Sequence, residues 1–67
     1  MNYQQKLKTI RQMKNYQQKD MAEVLNITQQ QYSLIETGKR ELHIDQLKTV
    51  CEHFKISADY ILDIKIK

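Results

Sequence analysis

The sequence contains no proline and a single glycine, Gly38, and this shortage of turn-forming residues is what most narrows its choice of fold. A protein of many short strands needs a reversal roughly every 8–12 residues, usually marked by glycine or proline. Helices joined by short connections make no such demand, so the fold class expected is all-α. At 67 residues the chain is read as one domain, 1–67, because so short a chain buries only about 60% of the surface it exposes when unfolded. Hydrophobic residues make up 40% and charged residues 28%, too apolar for a disordered segment and too interrupted by charge for a membrane span. The one cysteine, Cys51, excludes an internal disulfide and falls short of any zinc-site spacing, so apolar packing has to supply the stability. That suits a reducing compartment. Lys6 and Lys8 are followed by no apolar run; neither a signal peptide nor a lipid anchor is expected, and the expected location is cytoplasmic.

Charge is spread unevenly. Of the net +3, residues 1–20 hold Lys6, Lys8, Arg11, Lys14 and Lys19 against Asp20 alone, whereas residues 44–67 carry equal numbers of basic and acidic side chains. One end of the molecule is therefore expected to be basic and to attract a polyanion such as nucleic acid or an acidic membrane surface. Charge alone fits an ordinary solvated surface equally well.

Apolar residues recur at helical intervals in five segments. Leu7, Ile10, Met13 and Lys14 form the first stripe and Met21, Ala22 and Leu25 the second. A third helix is expected to begin with Thr28 as its N-cap and to run through Tyr32 and Ile35 to Gly38. The fourth carries Ile44, Leu47, Val50, Cys51 and Phe54, with His43 at its start. A short fifth is capped by Ser57, holds Asp59 in its positive first turn, and turns Ile61 and Leu62 inward. Between the second and third helices only Asn26 and Ile27 precede the cap at Thr28, the short connection of a helix-turn-helix. Such a turn needs a left-handed residue, and asparagine is the usual occupant after glycine. Asn15 repeats that logic after the first helix, and Ala22 is small enough to let the two helices cross closely.

With these residues in view, positions 7–62 resemble the Xre-type helix-turn-helix domain of lambdoid phage repressors and Cro proteins. The resemblance rests on Leu7 with Ile10-Arg11, on Gln18 and Met21-Ala22, on Leu25-Asn26-Ile27-Thr28-Gln29, on Ile35-Glu36-Thr37-Gly38-Lys39-Arg40, and on Leu47 with Ile56-Ser57-Ala58-Asp59. It implies a compact five-helix, repressor-like DNA-binding domain with the helix-turn-helix in helices two and three. The chain departs from the family pattern at Asn15, Asn26 and Lys55, where glycine is usual, at Gln17, where serine is frequent, and at Leu42, where proline is common. Lys55 in a left-handed conformation costs roughly 1 kcal/mol relative to glycine.

In a helix-turn-helix the second helix enters the major groove, where the base edges carry distinct donor and acceptor patterns. If Tyr32 and Ile35 are buried, steps of about 100° per residue turn Gln30, Ser33, Leu34 and Thr37 outermost, with Gln29 on the flank. A glutamine amide both donates and accepts and so pairs with adenine or bonds guanine; the resemblance implies that Gln29, Gln30 and Leu34 read bases, Leu34 through a thymine methyl, with Ser33 beside them. Gln18 and Lys19 start helix two, where free amides favour an anion. Together with Thr28, Thr37, Lys39 and Arg40 they are expected to touch the DNA backbone, fixing position without reading sequence. The family also links the positions of Arg11 and Glu36 by an ion pair that orients helix one against the end of helix three.

Cys51 reads as a small core hydrophobe, Tyr16 and Tyr32 as core, Tyr3 and Tyr60 as half-buried, and His53 as lying on an outer face. Two histidines make neither a zinc site nor a catalytic pair, and no enzyme, metal, cofactor or small-molecule ligand is expected. The function expected is sequence-specific binding of double-stranded DNA by a transcriptional regulator, a repressor acting on a palindromic operator. The alternative is a protein-interaction module, such as an antitoxin or anti-repressor, on the same fold. One recognition helix reads too few base pairs to find a site in a genome, which calls for a homodimer on two half-sites. The tail 63–67 continues from Leu62 with strict apolar and polar alternation through Ile64 and Ile66, a strand pattern expected to pair with a second copy; a disordered tail or an extension of helix five are the alternatives.

Overall fold

The computed structural model describes residues 2–62, the last of these by its backbone alone. The orientation expected of the Leu62 side chain and the strand and dimer segment expected over 63–67 therefore lie outside the described residues. Five helices follow one another: α1 (Tyr3–Met13), α2 (Gln18–Leu25), α3 (Gln29–Glu36), α4 (Ile44–Phe54) and α5 (Ala58–Leu62), with no strand among the described residues. The all-α architecture follows from the sequence pattern as read above.

Each helix contributes its apolar stripe to one core. Leu7 and Ile10 come from α1, Met21, Ala22 and Leu25 from α2, Tyr32 and Ile35 from α3, Leu47, Val50 and Phe54 from α4, and Ile61 from α5. α2 packs on α3 and α4, while α1 bridges α3 and α5. Burying a side chain of this size stabilises by about 1.5–3 kcal/mol before entropy is subtracted, and no disulfide assists. Positive backbone angles fall where the sequence implies turns, at Asn15 (φ 60°), Asn26 (φ 57°), Gly38 (φ 84°) and Lys55 (φ 57°). A Cβ at Gly38 would meet nothing within 4 Å, so glycine is required there by its backbone conformation and not by lack of space.

Several expectations need correction. α1 begins at Tyr3, four residues ahead of the first stripe residue, because the Asn2 side chain caps it by accepting from the Gln5 amide at 2.9 Å. Met13 is not part of the buried face but 69% exposed, and Arg11 is buried instead. The reason is geometric: Leu7, Ile10 and Arg11 are spaced i, i+3, i+4 and share a face, whereas Met13 overhangs the helix end. Ile44, the first residue of α4, is 73% exposed, since the stripe it heads meets the core only from Leu47 onward. Tyr16 packs partly buried against the core, its ring edge-on to Phe54 at 5.3 Å and its hydroxyl 3.0 Å from His53 Nε2.

Candidate nucleic-acid interface

The turn between α2 and α3 is fixed by backbone conformation and then by capping. Asn26 takes up φ 57°, ψ 44°, which lets the Ile27 amide reach back to the Ala22 carbonyl at 3.0 Å in the manner of a left-handed helix terminator. Thr28 then caps α3: its hydroxyl oxygen accepts from the Gln31 amide at 3.1 Å, and Gln31 Oε1 accepts from the Thr28 amide at 3.0 Å. This reciprocal box leaves α3 a defined starting point. The cap uses a lone pair of Thr28, so the hydroxyl proton is not needed by it.

On α3, Tyr32 and Ile35 are fully buried, and the outer face follows from the helix repeat. Gln29 and Gln30 are exposed, Ser33 is half-buried beside them, and Leu34 is 38% exposed. These four side chains form one surface with amide donors and acceptors around an apolar contact. Thr37 differs. Its hydroxyl donates to the carbonyls of Ser33 (3.1 Å) and Leu34 (3.2 Å), so its proton is turned back onto α3.

Lys19, in the first turn of α2, and Lys39 and Arg40, in the segment after α3, are exposed. In α2 the helical bonds start with the Asp20 and Met21 amides on the Gln17 carbonyl, at 3.0 and 3.2 Å, which leaves the Gln18 and Lys19 amides ahead of the first turn and oriented outward. Asp20 completes the start of α2 by accepting from the Gln17 amide at 2.8 Å. Of the N-terminal basic residues, Lys8, Lys14 and Lys19 are exposed and Lys6 is half-buried. Lys6 donates to the Tyr60 carbonyl and lies over the Tyr60 ring, Lys14 lines a groove with Ile56 and Tyr60, and Arg11 is buried. A helix distributes consecutive charges around its circumference, so Lys6 and Lys14 lie beside α5, Arg11 turns to the core and Lys8 to solvent.

Behind α3 lies a buried polar cluster. Arg11 Nε donates to Glu36 Oε2 at 2.8 Å and Arg11 Nη2 to Glu36 Oε1 at 3.1 Å, a two-pronged pair whose side chains are 11% and 4% exposed. Arg11 Nη1 donates to the Tyr16 carbonyl at 2.9 Å, and Gln18 Nε2 donates to Glu36 Oε1 at 3.1 Å. The Glu36–Gln18 contact has no local signature, being formed across 18 residues, and sequence reasoning missed it. Burial pushes the Glu36 carboxyl up, but the hydrogen bonds that Arg11 and Gln18 donate, with the guanidinium charge and the nearness of the Tyr32 phenol, outweigh it and hold the group below its ordinary value. The Arg11 guanidinium is raised, first by its hydrogen bonds to Glu36. The Tyr32 hydroxyl is close enough to feel this pair yet stands outside hydrogen-bond geometry with any described residue. Burial and the Glu36 carboxylate push it far above the ordinary phenol value, so it stays protonated.

Two short helices joined by a left-handed asparagine, the second presenting a polar outer face and braced from behind, define a helix-turn-helix. A family model described as helix-turn-helix matches residues 7–61, and the chain belongs to the Xre-type helix-turn-helix family of DNA-binding regulators. No curated protein and no solved structure matches it significantly. Among the described residues no helix is long and apolar enough to cross a membrane, and no three His, Cys, Asp or Glu side chains are grouped to hold a metal ion.

The buried pair makes a specific demand on pH. Because the Glu36 carboxyl is held below its unfolded value, its stabilisation is complete above the unfolded pKa of about 4.3 and is lost as pH falls through the folded one. Glu36→Gln leaves Arg11 uncompensated and is expected to cost roughly 3 kcal/mol at neutral pH, with the gap to wild type closing below about pH 4. Thermal unfolding from pH 7 to pH 2.5 measures this, with Glu52→Gln on the exposed face of α4 as a control expected to show no gap. A gap that does not change with pH contradicts the assignment.

Proposed function

We propose that this protein is a sequence-specific regulator of transcription, a repressor, that inserts α3 into the major groove of double-stranded DNA. The observation that carries the reading is the outer face of α3: two exposed glutamines, a serine and a partly exposed leucine on a helix whose opposite face is wholly buried. Glutamine amides match the paired donor and acceptor of adenine in the major groove, and an apolar side chain matches the thymine methyl. We assign base reading to Gln29, Gln30, Ser33 and Leu34. Contact with the phosphate backbone is assigned to Gln18, Lys19, Thr28, Lys39 and Arg40. Thr37 at the end of α3 is assigned to the backbone as well, its hydroxyl turning from the Ser33 and Leu34 carbonyls to a phosphate. An intracellular, cytoplasmic location accords with such a partner.

The protein acts as a homodimer on a roughly palindromic operator, since one α3 covers too few base pairs for selection within a genome. Its end containing α5 is the surface for that dimer. The proposal is supported by Met13 and Tyr60, 69% and 47% exposed, which border an apolar groove with Ile10 and Ile56. Exposed apolar side chains gathered around one groove are a feature of surfaces that become covered.

Replacing both Gln29 and Gln30 by alanine is expected to lower operator affinity by about 1–3 kcal/mol per residue while leaving binding to unrelated duplexes nearly unchanged. Lys39→Ala is expected to weaken all duplexes alike and to reduce the slope of log affinity against log salt by about one. Electrophoretic shift or fluorescence anisotropy across a salt series separates the two. Full operator affinity in the glutamine double variant removes α3 from the reading role.

The dimer is tested by mass in solution. The wild-type chain is expected to run at twice its 8.1 kDa and Tyr60→Asp at the single mass, with operator affinity reduced. A wild-type protein that is monomeric both free and on DNA contradicts the proposal.

A further inference from the structure

The segment between α3 and α4 carries Lys39 and Arg40, and its backbone is tied down almost residue by residue. The amides of Lys39 and Arg40 both donate to the Leu34 carbonyl, at 2.9 and 3.2 Å, which fixes the beginning of the segment to α3. The His43 amide donates to Gln46 Oε1 at 2.8 Å, which fixes its end to α4. Each of these partners is local. The middle is held from elsewhere: the Leu42 amide donates to the Tyr3 hydroxyl at 3.3 Å, and the same hydroxyl donates to Glu41 Oε2 at 2.8 Å. Tyr3 lies at the start of α1, 39 residues from Leu42, and its ring is packed partly buried against the core beside Leu42.

We propose that Tyr3 is a positioning residue for DNA binding, whose hydroxyl straps the middle of the 37–43 segment to α1 and so holds Lys39 and Arg40 in place for the phosphate backbone. The proposal rests on the reading of Lys39 and Arg40 as phosphate-binding side chains. Two consequences of the bond geometry support it. Accepting from Leu42 immobilises the one part of the segment that neither helix fixes, and a segment ordered before binding loses less freedom when it meets DNA. Donating to Glu41 gives that carboxylate a partner on α1. A carboxylate next to Arg40 would otherwise compete with phosphate for its guanidinium and repel the DNA backbone. Burial and the Glu41 contact also raise the Tyr3 phenol above its ordinary value, so the donor is intact across the working pH range.

The test is Tyr3→Phe, which keeps the ring and its packing and removes only the hydroxyl. Leu42 amide hydrogen exchange is expected to quicken by threefold or more, and affinity for any duplex is expected to fall about three- to tenfold, the effect of one hydrogen bond. Specific and nonspecific DNA should be affected alike. In the Lys39→Ala, Arg40→Ala background the same substitution is expected to leave affinity unchanged, because the groups it positions are gone. A purely structural tyrosine would lower the melting temperature and show no such coupling. Unchanged Leu42 exchange overturns the strap. Unchanged affinity in Tyr3→Phe, while Lys39→Ala, Arg40→Ala binds more weakly, overturns the proposal and leaves the phosphate reading standing. If Lys39→Ala, Arg40→Ala binds as tightly as wild type, the phosphate reading falls and the proposal falls with it.

Discussion

Arg11 is the side chain on which the geometry of this protein turns. Its guanidinium spends both prongs of one edge on Glu36 and a third donor on the Tyr16 carbonyl, so one planar group joins α1, the connection into α2, and the last turn of α3. A carboxylate at a helix C-terminus is opposed by the helix dipole, and Glu36, the last residue of α3, would be poorly placed without it. Removing one partner of such a pair leaves the other as an uncompensated buried charge, which costs far more than the intact pair contributes. The worth of this pair is therefore in orientation. Lysine would not replace Arg11, because a single ammonium cannot hold both carboxylate oxygens and a carbonyl in fixed directions.

Gln18 extends the same constraint to the other helix of the motif. Its amide nitrogen donates to the Glu36 oxygen that Arg11 Nη2 also holds, so the start of α2 is set against the end of α3, while the left-handed Asn26 sets the end of α2 against the start of α3. Two ties at opposite ends of a pair of short helices fix their relation as a rigid body. That relation decides whether the outer face of α3 and the free amides of α2 meet a groove and its flanking phosphates together. The apolar core beneath supplies most of the stability, and the polar cluster chooses among the ways the core could pack.

Much of the fold could be read from the residues because the signals were local. Thr28, Asn26, Ser57 and the single Gly38 mark helix ends by their own conformational chemistry, and the structure puts caps or left-handed residues at each. The buried face of α3 followed from Tyr32 and Ile35 and the helix repeat. What could not be read was set by tertiary placement. Met13 reads as buried because it is apolar, yet it is exposed at the end of α1, while Arg11, expected to pair with Glu36, shares the buried face of Leu7 and Ile10. The linear count of N-terminal lysines gives no sign that Lys6 and Lys14 fall beside Tyr60. Tyr3 gave no sign of its contact with a segment 39 residues away. Thr37 is exposed, and nothing local announces that its hydroxyl donates to the carbonyls of its own helix.

The central claim is that DNA meets the surface made by α3, the start of α2 and the segment after α3, and the most direct measurement is the change in backbone amide chemical shifts when a short duplex is added at low salt. Nonspecific and specific binding share the phosphate contacts, so the operator need not be known. The account predicts the largest changes at residues 18–19, 28–34 and 39–42, with little change in α5. Largest changes at the groove of Ile10, Met13, Ile56 and Tyr60, with α3 unmoved, would contradict it.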